Sequence, residues 1–273
     1  MCELFAMSGR ERATVNFSLS VLAEHGGKSA PHADGWGIAC YEENDVRILR
    51  DTTCASQSKW VEFVGQQQLR SRLVLSHLRK ATDGVIAIKN TQPFSRELGG
   101  RMHVFAHNGH APNIRNHSRF SIKFFRPIGD TDSEVAFCAL LERLKPLWFN
   151  PDASPDPTAR LDIVTAFAGD LGEIGLANFL YSDGELLFVH GHRRKQADGE
   201  YKAPGLCVLR RQCAIADPYA KTAGVSVTST HQDVILVASV PLTVEAWQPL
   251  EQGEVLVISH GEIVNRAKVM TSV

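Results

Sequence analysis

The chain has 273 residues, 44% hydrophobic and 22% charged, with a formal net charge of −1. That length can bury a substantial core, and the charge balance argues against the basic footprint of a nucleic-acid binder. No run approaches the roughly 18 uninterrupted apolar residues of a membrane span. The start MCELFAMSGRER lacks the basic-then-apolar order of a signal peptide, so a cytoplasmic location is expected.

In chain order, CELFAMS reads as a short strand. From Thr14 to His25, Val15, Phe17, Leu19, Val21 and Leu22 predict a helix ended by Gly26-Gly27. WGIACYEENDVRILRD predicts a hairpin around a Glu-Glu-Asn-Asp turn. A helix is expected from Trp60 to Leu69, then strands at SRLVLSHLR and HVFAH. After GDTDSE, Val135, Phe137, Ala139, Leu140, Leu141 and Leu144 supply an apolar helix face that Pro146 stops. NPDASPDPT reads as a loop, and a helix follows from Leu161 to Leu171. NFLYS, ELLFVH, GLCVLRR, VILVAS and EVLVIS are strands, the last closing on His260-Gly261. Strands, helices and more strands suit one α+β domain over 1–273 rather than repeating βαβ units.

Several motifs fail on their surroundings. His25-Gly26-Gly27-Lys28-Ser29 resembles the end of a phosphate loop, but Leu22 stands where the first glycine belongs. His103, His107, His110 and His117 match no zinc spacing. Asp130, Asp132 and Glu134 are already explained as helix-start residues. No metal or cofactor is expected. The six cysteines, Cys2, Cys40, Cys54, Cys138, Cys207 and Cys213, include no CxxC pair and suit reduced thiols.

Cys2 differs by its position. With Met1 removed, its thiol and its α-amine form a nucleophile and a base on one residue. Four further segments suit attack on a side-chain amide. Arg79 in SHLRKAT can grip a carboxylate with two parallel bonds. Asn108-Gly109 in AHNGH can supply an oxyanion hole. Asp132 can bind an ammonium, and the turn carrying Trp36 can run beside a substrate. Each also has a plain reading: surface salt bridge, hairpin turn, helix cap and core aromatic.

Taken in order, MCELFAMS, HADGWG, SHLRKAT, NTQPF, HNG and GDTDSE resemble the class II glutamine amidotransferases, nearest to their stand-alone YafJ-like group. The resemblance implies an N-terminal-nucleophile hydrolase sandwich, a four-layer αββα fold of two antiparallel sheets. It implies that Cys2 attacks the glutamine δ-carbonyl and that Asn108 and Gly109 hold the oxyanion. Arg79 then binds the substrate α-carboxylate with support from Thr82, Asp132 binds the α-ammonium, and Trp36 lies beside the substrate. Two departures stand out. Asp83 follows the Arg-Lys-Ala-Thr run where many relatives carry His, and is expected to point away from the substrate carboxylate. Gln92 stands where many relatives have the His of Asn-Thr-His-Pro-Phe. Three roles remain open: a glutaminase feeding a separate synthase subunit, a hydrolase of some other γ-glutamyl amide, or a silent γ-glutamyl-binding module.

Overall fold

The computed structural model describes residues 2–14, 34–67, 69–81, 83–150, 153–213 and 232–269. The first strands are β1 (Glu3–Thr14), β2 (Trp36–Glu42) and β3 (Asp45–Asp51). Helix α1 (Lys59–Gln67) leads into β4 (Arg70–Leu78). β5 (Phe94–Leu98) and β6 (Arg101–His110) precede two helices, α2 (Asp132–Leu144) and α3 (Pro157–Ile174). β7 (Leu176–Ser182), β8 (Leu187–His190), β9 (Arg194–Lys195) and β10 (Tyr201–Lys202) follow. The last are β11 (Cys207–Cys213), β12 (Gln232–Ala238), β13 (Gln248–Pro249), β14 (Glu254–Ser259) and β15 (Glu262–Lys268).

Thirteen of these strands form a seven-stranded sheet, ordered β13-β11-β12-β1-β4-β2-β3, and a six-stranded sheet, ordered β15-β14-β8-β7-β6-β5, while β9 and β10 pair by themselves. All pairings in both are antiparallel. The period of two along each strand decides what each face buries. On β1, Leu4 and Ala6 join the core between the sheets, with Val104 and Ala106 of β6. Phe5 and Met7 face the other way, into a cluster with Val61 and Val64 of α1. Phe105 of β6 faces α2 and α3, in a cluster with Phe137 and Phe167. Its ring stacks on Phe137 at 5.4 Å, and truncating Phe137 to Ala would cost about 3–5 kcal/mol. The layers are therefore helix, sheet, sheet, helix, the expected αββα sandwich.

Local chemistry sets the helix ends. The Thr131 side chain accepts from Glu134 N to cap α2, and Pro146 falls in the short turn after it. α3 starts earlier than expected, because Asp156 caps it by accepting from Ala159 N and Pro157 fits its first turn. Thr14 ends β1; the rest of the helix expected from there to His25 lies outside the described residues. No described helix is long and apolar enough to cross a membrane.

Candidate active site

Cys2 shares the parity of Leu4 and Ala6, so β1 aims it toward the space between the sheets. Its Sγ lies 3.3 Å from both Lys80 N, which donates to it, and Lys80 O, which accepts from it. Lys80 follows β4, where Arg79 N donates to Gly35 O (2.8 Å) and Ala81 N to Asp34 Oδ2 (2.8 Å). Burial pushes the Cys2 thiol above its ordinary pKa; Lys80 N–H and Arg79 pull it down, and Asp132 pushes it up. Burial at this position thus favours the thiol over the thiolate.

Arg79 is 3% exposed. Its guanidinium donates to the carbonyls of Asp34 (3.4 Å), Asp83 (3.1 Å), Gly84 (3.1 Å) and Val85 (3.3 Å). Among the described residues these partners are all neutral, and no carboxylate pairs with it. A buried cation without a counter-ion is costly, so Arg79 could accept an anion entering the cleft.

Asp132 opens α2 and is buried. Its Oδ2 accepts from Ala111 N (2.6 Å) and its Oδ1 from Ser133 N (2.8 Å). His110 Nδ1 lies 3.5 Å from Oδ2. Asp83 directs its carboxylate at backbone amides, accepting from Gly84 N (3.0 Å) and Asp132 N (3.2 Å). That placement suits the positive end of α2.

On β6, Asn108 and Gly109 pair with Asn178 and Ala177 of β7. A Cβ on Gly109 would fall 1.8 Å from Leu176 O and 2.2 Å from His107 Nε2, so only glycine fits. Asn108 is buried, with Nδ2 at 3.5 Å from Ser239 Oγ, which also accepts from Leu4 N at 3.0 Å. Its carboxamide is thus turned toward the strand that carries Cys2. The His107 ring donates through Nε2 to Leu176 O (2.9 Å), so Nδ1 accepts from Ser133 Oγ (2.9 Å). Burial lowers its pKa and keeps it neutral.

Cys2, Arg79, Asp83, Gln92, Gly109 and Asp132 line one cleft of about 310 Å³ counting its open mouth. Two expected residues are not on that lining, and a third falls outside the described residues. Asn108 is buried and is not on the lining, although its neighbour Gly109 is. Trp36 packs into the outer core beside Phe5, Ile38 and Val61, away from the cleft. Thr82 lies outside the described residues. Gln92, singled out in the sequence only as a departure from the motif, is on the lining, as are His107 and Ser133, which the sequence did not assign to the site. His103 bonds Tyr181 (2.7 Å) and Leu98 O (3.0 Å), and among the described residues no metal-binding cluster forms.

Two antiparallel sheets stacked between helical layers form the N-terminal-nucleophile type of fold, and a thiol, a buried cation and a buried anion share one cleft in it. The model of the family "Glutamine amidotransferases class-II" matches residues 1–272, and the chain belongs to that family. It is 33% identical over 266 residues to a protein of Escherichia coli (strain K12) that carries the name glutamine amidotransferase YafJ, covering 97% of this chain and 100% of that one. A structure from Pseudomonas aeruginosa PA01, described as a predicted glutamine amidotransferase, superposes with a TM-score of 0.65 at 29% identity, covering 97% of this chain and 100% of that one. The glutamine phosphoribosylpyrophosphate amidotransferase of B. subtilis shares the fold, with a TM-score of 0.62 at 17% identity. It covers 100% of this chain and 50% of that chain.

Proposed function

We propose that the protein hydrolyses the side-chain amide of glutamine, or of a related γ-glutamyl compound, through a thioester on Cys2. One observation carries this: buried Arg79 has only neutral partners among the described residues, and both it and Asp132 line the cleft that Cys2 lines. Opposite charges flanking a nucleophile complement an α-amino acid, whose carboxylate and ammonium sit on one carbon. Arg79 takes the α-carboxylate and Asp132 the α-ammonium, which sets the δ-carbonyl at a fixed distance from Cys2.

The reaction runs in two halves. With Met1 removed, the Cys2 α-amine takes the thiol proton, and sulfur bonds to the δ-carbon. The oxyanion is held by Asn108 Nδ2 and Gly109 N–H. The ammonium returns the proton to the amide nitrogen, the C–N bond breaks, and ammonia or an amine leaves. Water, deprotonated by the same amine, attacks the thioester and releases glutamate. Asn108 enters this scheme by orientation, since its amide points toward β1 through Ser239.

The test is kcat/KM for glutamine, asparagine, N-acetylglutamine and several γ-glutamyl amides, using protein whose N-terminus is confirmed as Cys2. Glutamine or another γ-glutamyl amide should turn over. Asparagine, one methylene short, and N-acetylglutamine, lacking the ammonium, should be poor substrates. Comparable values for all would show that neither end is read. Activity on none would leave the silent binding module as the better reading.

A further inference from the structure

We propose that Gln92 is a positioning residue: its carboxamide replaces a missing strand partner and fixes the part of β6 that carries the oxyanion hole. This rests on the proposed hydrolase reading for its kinetic consequence only.

The geometry starts from the register of β5 on β6. Phe94 pairs with Phe105, Ser95 with Val104, and so on to Leu98 with Arg101. One more antiparallel step places Pro93 opposite Ala106, and a second places Gln92 opposite His107. β5 stops at Phe94, however, and Pro93 has no N–H to continue the ladder. On its other side β6 stays paired with β7 through His110. The edge of β6 beside β5 therefore runs out of backbone partner two residues before Asn108.

The Gln92 side chain supplies that partner. Its Oε1 accepts from His107 N at 2.6 Å, and its Nε2 donates to His107 O at 3.2 Å. A carboxamide carries the same acceptor and donor as a peptide group, so it reproduces a ladder pair with one residue. Gln92 is 5% exposed, and His107 is buried, so neither group has ready recourse to water. The backbone of Gln92 is fixed as well: a Cβ on Gly37 of β2 would lie 2.3 Å from Gln92 O. Gln92 thus connects the sheet that carries Cys2 to the strand that carries Asn108 and Gly109. Because it also lines the cleft, its wall position and its clamp are set by the same two bonds.

The sharpest probe is Gln92→Glu, which keeps the shape and changes only the donor. Near neutral pH the introduced carboxylate cannot donate to His107 O and repels it. As the pH falls, the protonated carboxyl regains both an acceptor and a donor. The variant should lose about 10²-fold in kcat at neutral pH, the scale of a misplaced reacting geometry, with KM little changed. The ratio of variant to wild-type kcat should then rise as the pH is lowered through the carboxyl's titration. A purely structural role would leave that ratio flat. Gln92→Met, similar in length and unable to form either bond, should show the same loss with no recovery.

Hydrogen exchange by NMR reads the clamp without turnover. In the wild type the Gln92 carboxamide protons and the His107 amide should exchange slowly. Gln92→Glu at neutral pH should speed exchange at His107 and Asn108, and lowering the pH should restore part of the protection after correction for intrinsic rates. A pH-independent kcat ratio, unchanged exchange at His107 and Asn108, or rapid carboxamide exchange in the wild type would each overturn the proposal. If the wild type hydrolyses no γ-glutamyl amide, the hydrolase reading fails and the exchange data alone decide the clamp.

Discussion

Two buried arginines at different places in the sandwich show how similar burial can serve different ends. Arg160, on α3, is fully buried and donates to Asp183 at 2.8 Å and to Glu185 at 3.2 Å. Its guanidinium also lies 5.8 Å from the Trp148 ring. The charge is matched inside the protein through Nη1, although Nε and Nη2 are buried without hydrogen-bond partners among the described residues. Arg79 is almost as buried, but its described partners are four backbone carbonyls beside an open cleft and a thiol. Burial alone does not mark a functional cation. The informative feature is a buried charge whose counter-charge is left to come from outside.

The largest expected effects divide along this comparison. Arg160→Met strands Asp183 in the interior and should cost about 3–5 kcal/mol of stability, measured by denaturant unfolding, while the folded fraction keeps its specific activity. Arg79→Lys should do the reverse. An ammonium cannot reproduce the two-bond grip on a carboxylate, so kcat/KM for the substrate should fall by the equivalent of about 2–5 kcal/mol with little change in unfolding. If Arg79→Lys unfolds the protein and spares catalysis, the comparison fails.

Asn108→Ala should fold normally and lose about 10²–10³-fold in kcat, the range for one oxyanion donor. A rise in KM at constant kcat would make Asn108 a ground-state contact instead.

A pH dependence of stability follows from the buried histidines. Burial lowers the pKa of His103 to about 4, of His190 to about 3 and of His192 to about 4. The folded chain therefore binds fewer protons than the unfolded chain below the ordinary value near 6.5. Their contribution is fully present above that value and is lost as the pH falls through it toward 4 and 3. Each ring should cost about 1.4 kcal/mol per pH unit in that window. Melting curves at pH 7.5 and 5 that coincide would contradict the assignment of these rings as buried and neutral.

The fold was legible where a period was sustained. Strands β1, β4, β7, β12 and β14 read clearly, since alternating or continuous apolar runs need no tertiary information. β5 went unread because Phe94–Leu98 contains Ser95, Arg96 and Glu97 and borrows its strand character from β6. The start of α3 was hidden in a Pro/Asp-rich stretch in which Asp156 and Pro157 are cap and first-turn residues. In the cleft, the need for glycine at 109 follows from a close approach, and Cys2, Arg79 and Asp132 stand in recognisable motifs. Trp36 was read toward the substrate because of its neighbouring glycines, yet it shares the face of Ile38 and Cys40, which is the outer core. Gln92 gave no signal of its own as a clamp, because its role depends on where a neighbouring strand stops.

The most direct test of the central claim is mass spectrometry of protein quenched in acid during turnover of glutamine. The account predicts a chain that begins at Cys2 and carries a γ-glutamyl group on its N-terminal peptide. The adduct and turnover should both be absent in Cys2→Ala. Full turnover by a chain that retains Met1, or by Cys2→Ala, would contradict it.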